Sequence, residues 1–191
     1  MPELPEVETT RRGIEPHIVG KAIKSVVVRQ PSLRWPVSPE LSQVMTGNRV
    51  TGISRRAKYL LFSTNTGRMM VHLGMSGSLR ITNGSTALKK HDHIDIVFDD
   101  GTVLRYHDPR RFGSVFWIPE GSSHELIDSL GPEPLSDEFN GSYLYELSRR
   151  RKLAIKLFIM NSKVVVGVGN IYANEALHAA GIRPDRLAGR V

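Results

Sequence analysis

Cysteine is absent from the 191 residues of this chain. Its absence excludes disulfide bonds and metal sites built from thiolates. Long hydrophobic runs are also lacking, since no stretch approaches the ~20 apolar residues that a membrane span requires. The first residues, MPELPEVETT, are acidic and rich in proline, and they lack the basic start and apolar run of a secretory signal. We therefore expect a cytoplasmic protein that makes no use of a membrane.

The chain carries an excess of positive charge, which is concentrated towards one end. The formal net charge is +7 at pH 7, from 26 Lys and Arg against 19 Asp and Glu. Residues 140–191 hold nine of the basic residues and three of the acidic ones, so this segment contributes +6. Such a segment predicts a polyanionic partner, most often a nucleic acid. The alternative is a charged surface that contacts only solvent.

Short runs rich in Val, Ile and aromatic residues fill most of the first 119 residues. Turn residues separate them, and Asp99-Asp100-Gly101 gives the strongest hairpin signal. This pattern predicts an antiparallel β-sandwich or barrel. A short helix precedes it at 5–14, with Pro5 at its start and Gly13 as its stop signal. The predicted strands are 22–29, 50–54, 59–63, 69–73, 78–82, 93–98, 102–107 and 115–118.

Helical segments replace strands after Pro119, so the expected fold class is α+β. Prolines and Ser136 mark a linker there. Ser142 is expected to cap one helix, and Gly181 to end another. The predicted helices are 123–130, 142–152, 154–161 and 171–180. The predicted organisation is a β-domain at 1–119, a linker at 120–136 and a helical domain at 137–191.

The N-terminus carries residue types suited to covalent catalysis. Removal of Met1 would expose the secondary amine of Pro2, and an α-amino group has a pKa of ~8, about two units below that of lysine. Such an amine can attack an aldehyde-like carbon and form an iminium ion that permits elimination. The carboxylates of Glu3 and Glu6 follow closely and could transfer protons. The alternative is that both only cap the helix.

Basic and histidine residues in the strand region are open to more than one interpretation. Arg55-Arg56-Ala57-Lys58 could reach phosphates, or could only guard a strand edge. His91 and His93 share a face of a strand, but such a pair without two further ligands is weak evidence, so no metal site is predicted. Met75 and Phe112, each in a glycine-containing loop, could be exposed or buried in the core.

Seven segments stand out as distinctive, in order along the chain: PELPEVET, RRAKYLL, HLGMSGSLR, KHDHIDI, YHDPRRFG, LGPEPLSDEFN and VVGVGNIYANEALHAAGI. Together they resemble the bacterial formamidopyrimidine-DNA glycosylase family, and the resemblance covers essentially the whole chain. It implies a bifunctional DNA glycosylase/AP lyase that removes oxidised purines from damaged double-stranded DNA. It further implies that Pro2 forms a Schiff base with C1′ of the damaged nucleotide, while Glu3 protonates the opening sugar and Glu6 supports it.

The same resemblance assigns roles to other residues of the β-domain. Lys58 is implied to transfer a proton in β-elimination, and His72 and His91 to contact the DNA backbone. A glycosylase must also take its target base out of the stack, which leaves a gap in the duplex. The residues implied to fill that gap are Met75, Phe112 and Arg110, with Arg110 facing the orphan cytosine.

In the helical domain the resemblance implies a helix–two-turn–helix element that grips phosphates. The implied contacts are Arg151, Lys156 and Asn170. Asn170 follows Gly167-Val168-Gly169 at the start of a helix, where backbone N–H groups favour anions. The family carries lysine in place of Arg151, and the substitution keeps the charge.

The chain departs from the family's pattern after about residue 190, where the family continues into further helices and a four-cysteine zinc finger. The helix–two-turn–helix is therefore expected to be incomplete, and the chain is expected to bind no zinc and no other cofactor. A monomer is expected. A second interpretation is a weakly active or non-catalytic DNA-binding fragment, and a third, an RNA-binding β-domain, has only the charge to support it.

Overall fold

The computed structural model describes residues 2–191, and the chain divides into two compact units between His124 and Glu125. The first unit holds α1 (Leu4–Ile18), β1 (Ile23–Val28), α2 (Leu41–Met45), β2 (Gly52–Arg56), β3 (Tyr59–Ser63), β4 (Gly67–His72), β5 (Ser78–Asn83), β6 (Asp92–Phe98), β7 (Thr102–His107) and β8 (Ser114–Pro119). The second holds α3 (Glu125–Asp128), α4 (Gly141–Ser148), α5 (Ile155–Ile159), α6 (Asn170–Ala179) and a 3-10 turn at Ala188–Arg190. Within residues 2–191, every helix is too short or too polar to cross a membrane.

The strands of the first unit form two antiparallel sheets, which confirms the predicted sandwich. One sheet has the order β1-β6-β7-β5 and the other β2-β3-β4-β8. Side chains from both sheets share one buried core, including Phe62 and Met69 from one sheet and Phe98 and Leu104 from the other. The tight turn between β6 and β7 is the predicted hairpin, with Gly101 at a φ of 85°.

Helix α1 is longer than the sequence indicated, and the prediction that Gly13 ends it was wrong. The helix continues through Gly13 to Ile18. Its buried face explains the difference, because Val7, Ile14 and Ile18 are each at most 4% exposed and all join the sandwich core. That burial outweighs the ~1 kcal/mol that a glycine costs inside a helix.

Helix α2 was not predicted. It has only five residues, too few for a periodic pattern to stand out from a loop. Leu41 and Met45, four positions apart, are both 0% exposed, and the helix packs on β1. Contacts with the sheet therefore hold this turn of helix in place, and neither local propensity nor a side-chain cap accounts for it.

The second unit is helical, as predicted, although three of its four helices are shorter than expected. The predicted cap at Ser142 was wrong, because the cap lies two residues earlier, at Asn140, whose side chain accepts the N–H of Tyr143 at 3.0 Å. Gly181, at a φ of 67°, follows the end of α6 as predicted. A separate core holds this unit together, formed by residues that include Ile155, Phe158, Val165, Ala173 and Leu177.

Candidate active site

The N-terminal segment places two carboxylates at the start of α1. Glu3 is the residue before the helix, and it forms a capping box with Glu6, in which each side chain faces the backbone N–H of the other. The backbone N–H of Glu3 donates to Oε2 of Glu6 at 2.9 Å. Glu3 is 1% exposed, whereas Pro2 is half-buried and Glu6 is exposed. Helix capping therefore fixes both carboxylates beside Pro2, so the capping and catalytic interpretations are compatible.

Lys58 lies in the two-residue turn that joins β2 to β3. The paired residues on either side are Arg56 and Tyr59, and the first turn residue, Ala57, adopts a φ of 52°. Positive φ is uncommon for a residue with a side chain, so the surrounding contacts must hold this turn. Ala57 is 4% exposed, which supplies such contacts. The turn directs Lys58 to a defined position at the end of the hairpin.

The environment of Lys58 combines burial with two nearby carboxylates. Burial is the larger effect and lowers the pKa of Lys58 below its ordinary value, while the charges of Glu3 and Glu6 oppose that shift. The structure therefore brings the terminal carboxylates and Lys58 within electrostatic range of one another. A lowered pKa increases the fraction of lysine that is uncharged at neutral pH, and the uncharged amine is the form that can accept a proton.

A network centred on Glu8 joins the helix that carries Glu3 to the hairpin that carries Lys58. Glu8 accepts from Nη2 of Arg11 at 3.0 Å, and from Nε of Arg12 at 2.8 Å. It also accepts from Nε of Arg55, on β2, at 3.2 Å. Hydrogen bonds from Arg11 first, then from Arg12 and Arg55, outweigh partial burial and lower the pKa of Glu8 to about 2.

His72 ends β4 directly across from Tyr59, and it is held in one tautomer. Its Nδ1 accepts the backbone N–H of Gly74 at 3.0 Å, and its ring lies 4.9 Å from that of Tyr59. Burial, followed by the charges of Lys58 and Arg34, lowers the pKa of His72 to about 4. At neutral pH the ring is therefore uncharged and carries its proton on Nε2, which makes it a hydrogen-bond donor.

Next to His72 lies a groove of about 730 Å³ that collects the predicted gap-filling residues. Met75 and Phe112 line it and are 41% and 42% exposed, so the core-packing alternative for both was wrong. The guanidinium carbon of Arg110 lies 4.6 Å from the centre of the Phe112 ring. An exposed thioether, an aromatic ring and an arginine thus share one rim, a combination suited to replacing a base.

Sequence reasoning missed Arg34, which lines the same groove. It is exposed, and among residues 2–191 its guanidinium has no hydrogen-bond or ion-pair partner. Its charge reaches His72, where it adds to burial in lowering the pKa, and Tyr59, where it opposes the burial that raises the pKa. The only signal in the sequence was an Arg-Trp pair between Pro31 and Pro36, which resembles any polar loop. The backbone N–H of Arg34 donates a hydrogen bond to the carbonyl of Gly113 at 3.2 Å, and this bond holds Arg34 beside the groove.

The histidines near the start of β6 lie apart from one another, and two of them bond to other groups of the fold. The ring of His91 lies 6.1 Å from that of His93 and 6.0 Å from that of His107. His93 bonds the Asp108 carbonyl at 2.8 Å, and His107 bonds Asp92 at 2.8 Å. Within residues 2–191 no three His, Asp or Glu side chains are grouped closely enough to hold an ion. His91 is half-buried and does not line the groove that contains His72.

The predicted phosphate contacts of the second unit lie at two of its helix starts and in a basic groove. Arg151 is exposed and lines a groove of about 590 Å³ together with Lys152 and Lys163. Lys156 is half-buried in the first turn of α5. Asn170 is exposed as the first residue of α6. All three are polar groups that an anionic backbone can approach.

Comparison with known protein families gives two matches that together span most of the chain. The family model for the formamidopyrimidine-DNA glycosylase N-terminal domain matches residues 1–115. The model for the H2TH domain of formamidopyrimidine-DNA glycosylase matches residues 130–191. Residues 116–129 lie between the two matched segments, and the division between the two compact units, after His124, falls within them.

Curated relatives are named formamidopyrimidine-DNA glycosylase. The protein of Thioalkalivibrio sulfidiphilus is 58% identical and that of a Marinomonas species is 60% identical, each over 193 aligned residues. Both alignments cover 100% of this chain and 71% of the relative. The chain thus spans about seven tenths of their length.

Solved structures of similar proteins contain DNA. One is the Lactococcus lactis formamidopyrimidine-DNA glycosylase, bound non-covalently to DNA that contains an AP site. Its TM-score to this chain is 0.92 at 35% sequence identity, and the alignment covers 100% of this chain and 74% of the Lactococcus chain. A MutM protein in complex with DNA that contains carbocyclic 8-oxo-G has a TM-score of 0.92 at 36% identity, with 72% of its chain covered.

Proposed function

The chain belongs to the formamidopyrimidine-DNA glycosylase family, and from that membership and the geometry of its terminus we propose that Pro2 is its covalent nucleophile. The enzyme is a DNA glycosylase of base excision repair that removes oxidised purines, and the AP lyase activity of the family nicks the strand afterwards. Its partner is damaged double-stranded DNA, as in the related complexes. We place it in the cytoplasm of bacteria, where chromosomal DNA is accessible.

The proposed reaction starts at the amine of Pro2 after removal of Met1. The nitrogen lone pair attacks C1′ of the damaged nucleotide, and the bond from C1′ to the base breaks with its electrons on the departing base. The attacking nitrogen passes its N–H proton to the carboxylate of Glu3, and the departing base takes up a proton from solvent. The nitrogen lone pair then forms the C=N bond as the bond from C1′ to the ring oxygen opens, and that oxygen takes the proton from Glu3. The product is an iminium ion between Pro2 and C1′. Glu6 keeps Glu3 and the start of α1 in position through the capping box.

Elimination follows because the iminium ion makes the protons on C2′ acidic. Removal of one such proton sends electrons towards the iminium carbon system and expels the 3′ phosphate, which breaks the strand. Lys58, whose pKa is lowered by burial, is the proposed proton carrier for this step. Water then releases the sugar remnant and regenerates the Pro2 amine. Amine and carboxylate chemistry supply every step, so we propose that no cofactor takes part.

DNA binding is proposed to use two kinds of contact. Met75, Arg110 and Phe112 fill the gap of the extruded base, because all three line one groove and two are unusually exposed apolar side chains. Phosphates are held by His72 and Arg34 at that groove and by His91 at the start of β6. In the second unit the proposed phosphate contacts are Arg151, Lys156 and Asn170.

The observation that carries the proposal is the convergence of Glu3, Glu6 and Lys58 at the N-terminus that presents Pro2. The test is incubation of the chain with an 8-oxoguanine:cytosine duplex and borohydride, which reduces an iminium to a stable adduct. Trapping is expected with the parent chain and with Glu40→Gln, an exposed carboxylate outside the site. It is expected to be lost in Glu3→Gln and strongly reduced in Pro2→Gly.

Other outcomes of the same experiment separate the alternatives. Salt-sensitive binding of the duplex without any trapped adduct would indicate a non-catalytic DNA-binding protein. Binding that ignores the lesion and prefers RNA would indicate the RNA-binding alternative. Equal trapping by the parent chain and Glu3→Gln would contradict the role of Glu3.

A further inference from the structure

Asp108 is a fully buried carboxylate that the proposed chemistry does not use. It is 0% exposed, and no ion pair among residues 2–191 includes it. Its Oδ1 accepts the hydroxyl of Ser76 at 2.7 Å, and its Oδ2 accepts the hydroxyl of Tyr106 and the backbone N–H of Gly113, both at 2.9 Å. A buried charge is costly unless hydrogen bonds satisfy it, so three donors from different elements indicate a specific role.

Two of the three donors to Asp108, Ser76 and Gly113, belong to the two loops that carry the gap-filling residues, and the third, Tyr106, lies on β7. Ser76 directly follows Met75, and its oxygen also accepts the backbone N–H of Arg110 at 3.1 Å. Gly113 directly follows Phe112. The Asp108 carbonyl additionally accepts the N–H of Arg111 at 3.3 Å, where the backbone has a φ of 56°. One carboxylate thus connects the loop of Met75 to the loop of Arg110 and Phe112.

Close backbone packing makes the same two loops depend on each other. Gly74 has a φ of 61°, and a Cβ atom there would collide with the backbone of Phe112 and Gly113. A Cβ atom at Gly113 would collide with the hydroxyl of Tyr106 and the carbonyl of His72. The backbones of the two loops therefore touch directly, with no side chains between them. At that contact, Asp108 accepts hydrogen bonds from donors that would otherwise be buried without a partner.

We propose that Asp108 is the positioning residue for opposite-strand recognition, because it holds Arg110 in register with Met75 and Phe112. The proposal rests on the gap-filling role of these three residues in the proposed function. Arg110 would face the orphan base, and its ability to distinguish bases depends on the position of its backbone. Loss of the Asp108 bonds would loosen this register without removing any group that touches DNA.

The test is equilibrium binding to two duplexes that contain a tetrahydrofuran abasic analogue, one opposite cytosine and one opposite adenine. The quantity measured is the ratio of the two dissociation constants. Phosphate contacts and the fraction of active protein contribute equally to both and cancel, so a general loss of stability does not move the ratio. Asp108→Asn is expected to lower the preference for cytosine by about three- to tenfold, the effect of one or two weakened hydrogen bonds.

Two further variants complete the test, one as a control and one as an independent way to break the same link. Asp95→Asn changes another buried carboxylate of the same unit, which is bonded to Arg29 and Arg105, and it is expected to lower thermal stability while leaving the ratio unchanged. Ser76→Ala removes the link between Asp108 and the Arg110 N–H and is expected to lower the ratio in the same direction. If Asp108→Asn does not fold, Ser76→Ala carries the test.

The outcomes distinguish this proposal from the proposed function. If Arg110→Ala abolishes the preference while folded Asp108→Asn, or Ser76→Ala in its place, retains the parent ratio, the positioning role is wrong and the gap-filling role stands. If Arg110→Ala leaves the ratio unchanged, or the parent chain shows no preference, the gap-filling role fails and the positioning role with it.

Discussion

Nε of Arg55 lies 3.2 Å from Oε2 of Glu8, and this hydrogen bond ties the helix that Glu3 caps to the strand that leads into the turn of Lys58. The side chain of Glu8 is 24% exposed and that of Arg55 is 16% exposed, so the pair is partly shielded from solvent. Two parts of the candidate site, distant in sequence, are thereby held in one arrangement. Substitution of Glu8 therefore tests how much this network contributes to stability.

Glu8→Gln is expected to lower the free energy of unfolding by about 1 kcal/mol at pH 7, since three arginines lose a charged partner while exposure screens part of the effect. The pKa of Glu8 falls from 4.5 to about 2 on folding, so its contribution is present above pH 4.5 and disappears as the pH approaches 2. Urea unfolding of both proteins at several pH values checks this. A difference that grows below pH 4.5 would contradict it.

His72 gives a second pH dependence of the same sign at a higher pH. Its pKa falls from 6.5 to about 4 on folding, so between these values the unfolded chain binds more protons and stability decreases as pH falls. His72→Asn keeps an acceptor near the Nδ1 position and is expected to flatten that decrease. Thermal unfolding from pH 7 to pH 4 measures it, with the exposed His17→Asn as control. Parallel curves for His72→Asn and the parent would contradict the lowered pKa.

Arg34 and His72 are expected to affect DNA binding in different ways. Arg34→Ala removes a charge from the groove and should reduce the slope of log affinity against log salt by about 1. His72→Asn removes a neutral donor, so it should weaken binding and leave that slope unchanged. Titrations at several salt concentrations compare both with Lys24→Ala, an exposed cation on β1. An unchanged slope for Arg34→Ala would remove it from the interface.

Lys58 is expected to matter for elimination more than for adduct formation. Lys58→Gln should slow nicking of an abasic duplex by about a hundredfold or more, the usual contribution of a proton carrier, while borohydride trapping stays within a few-fold of the parent. Lys58→Arg should not restore nicking, because a guanidinium keeps its proton. The ratio of nicked to trapped product is the measurement. Equal loss of both products would place Lys58 in the first step instead.

Local rules predicted the parts of this fold that neighbouring residues determine. The hairpin at Gly101 and the end of α6 at Gly181 both require a residue with positive φ. Glycine adopts such a φ readily, and its position can be read from the sequence. Helix α2 and the continuation of α1 past Gly13 depend on burial of side chains against sheets far away in the chain. No local pattern records such contacts, so both were missed or misjudged.

The candidate site shows the same division. Glu3 and Glu6 are predictable because a helix start fixes them relative to Pro2. The approach of Lys58 to both requires the pairing of β2 with β3 and the packing of α1 on that sheet. Arg34 lies in an irregular loop whose position depends on a backbone bond to Gly113, and no periodicity marks it. Its role at the groove emerges only from three-dimensional contacts.

The role of Pro2 is tested most directly by identifying the protein atom that bonds to DNA. The chain is trapped with borohydride on an abasic duplex, digested with nuclease and trypsin, and mapped by tandem mass spectrometry. The sugar remnant is expected on the nitrogen of Pro2, in a peptide of residues 2–11 that lacks Met1. A remnant on the side chain of Lys58, or an adduct formed while Met1 is retained, would contradict it.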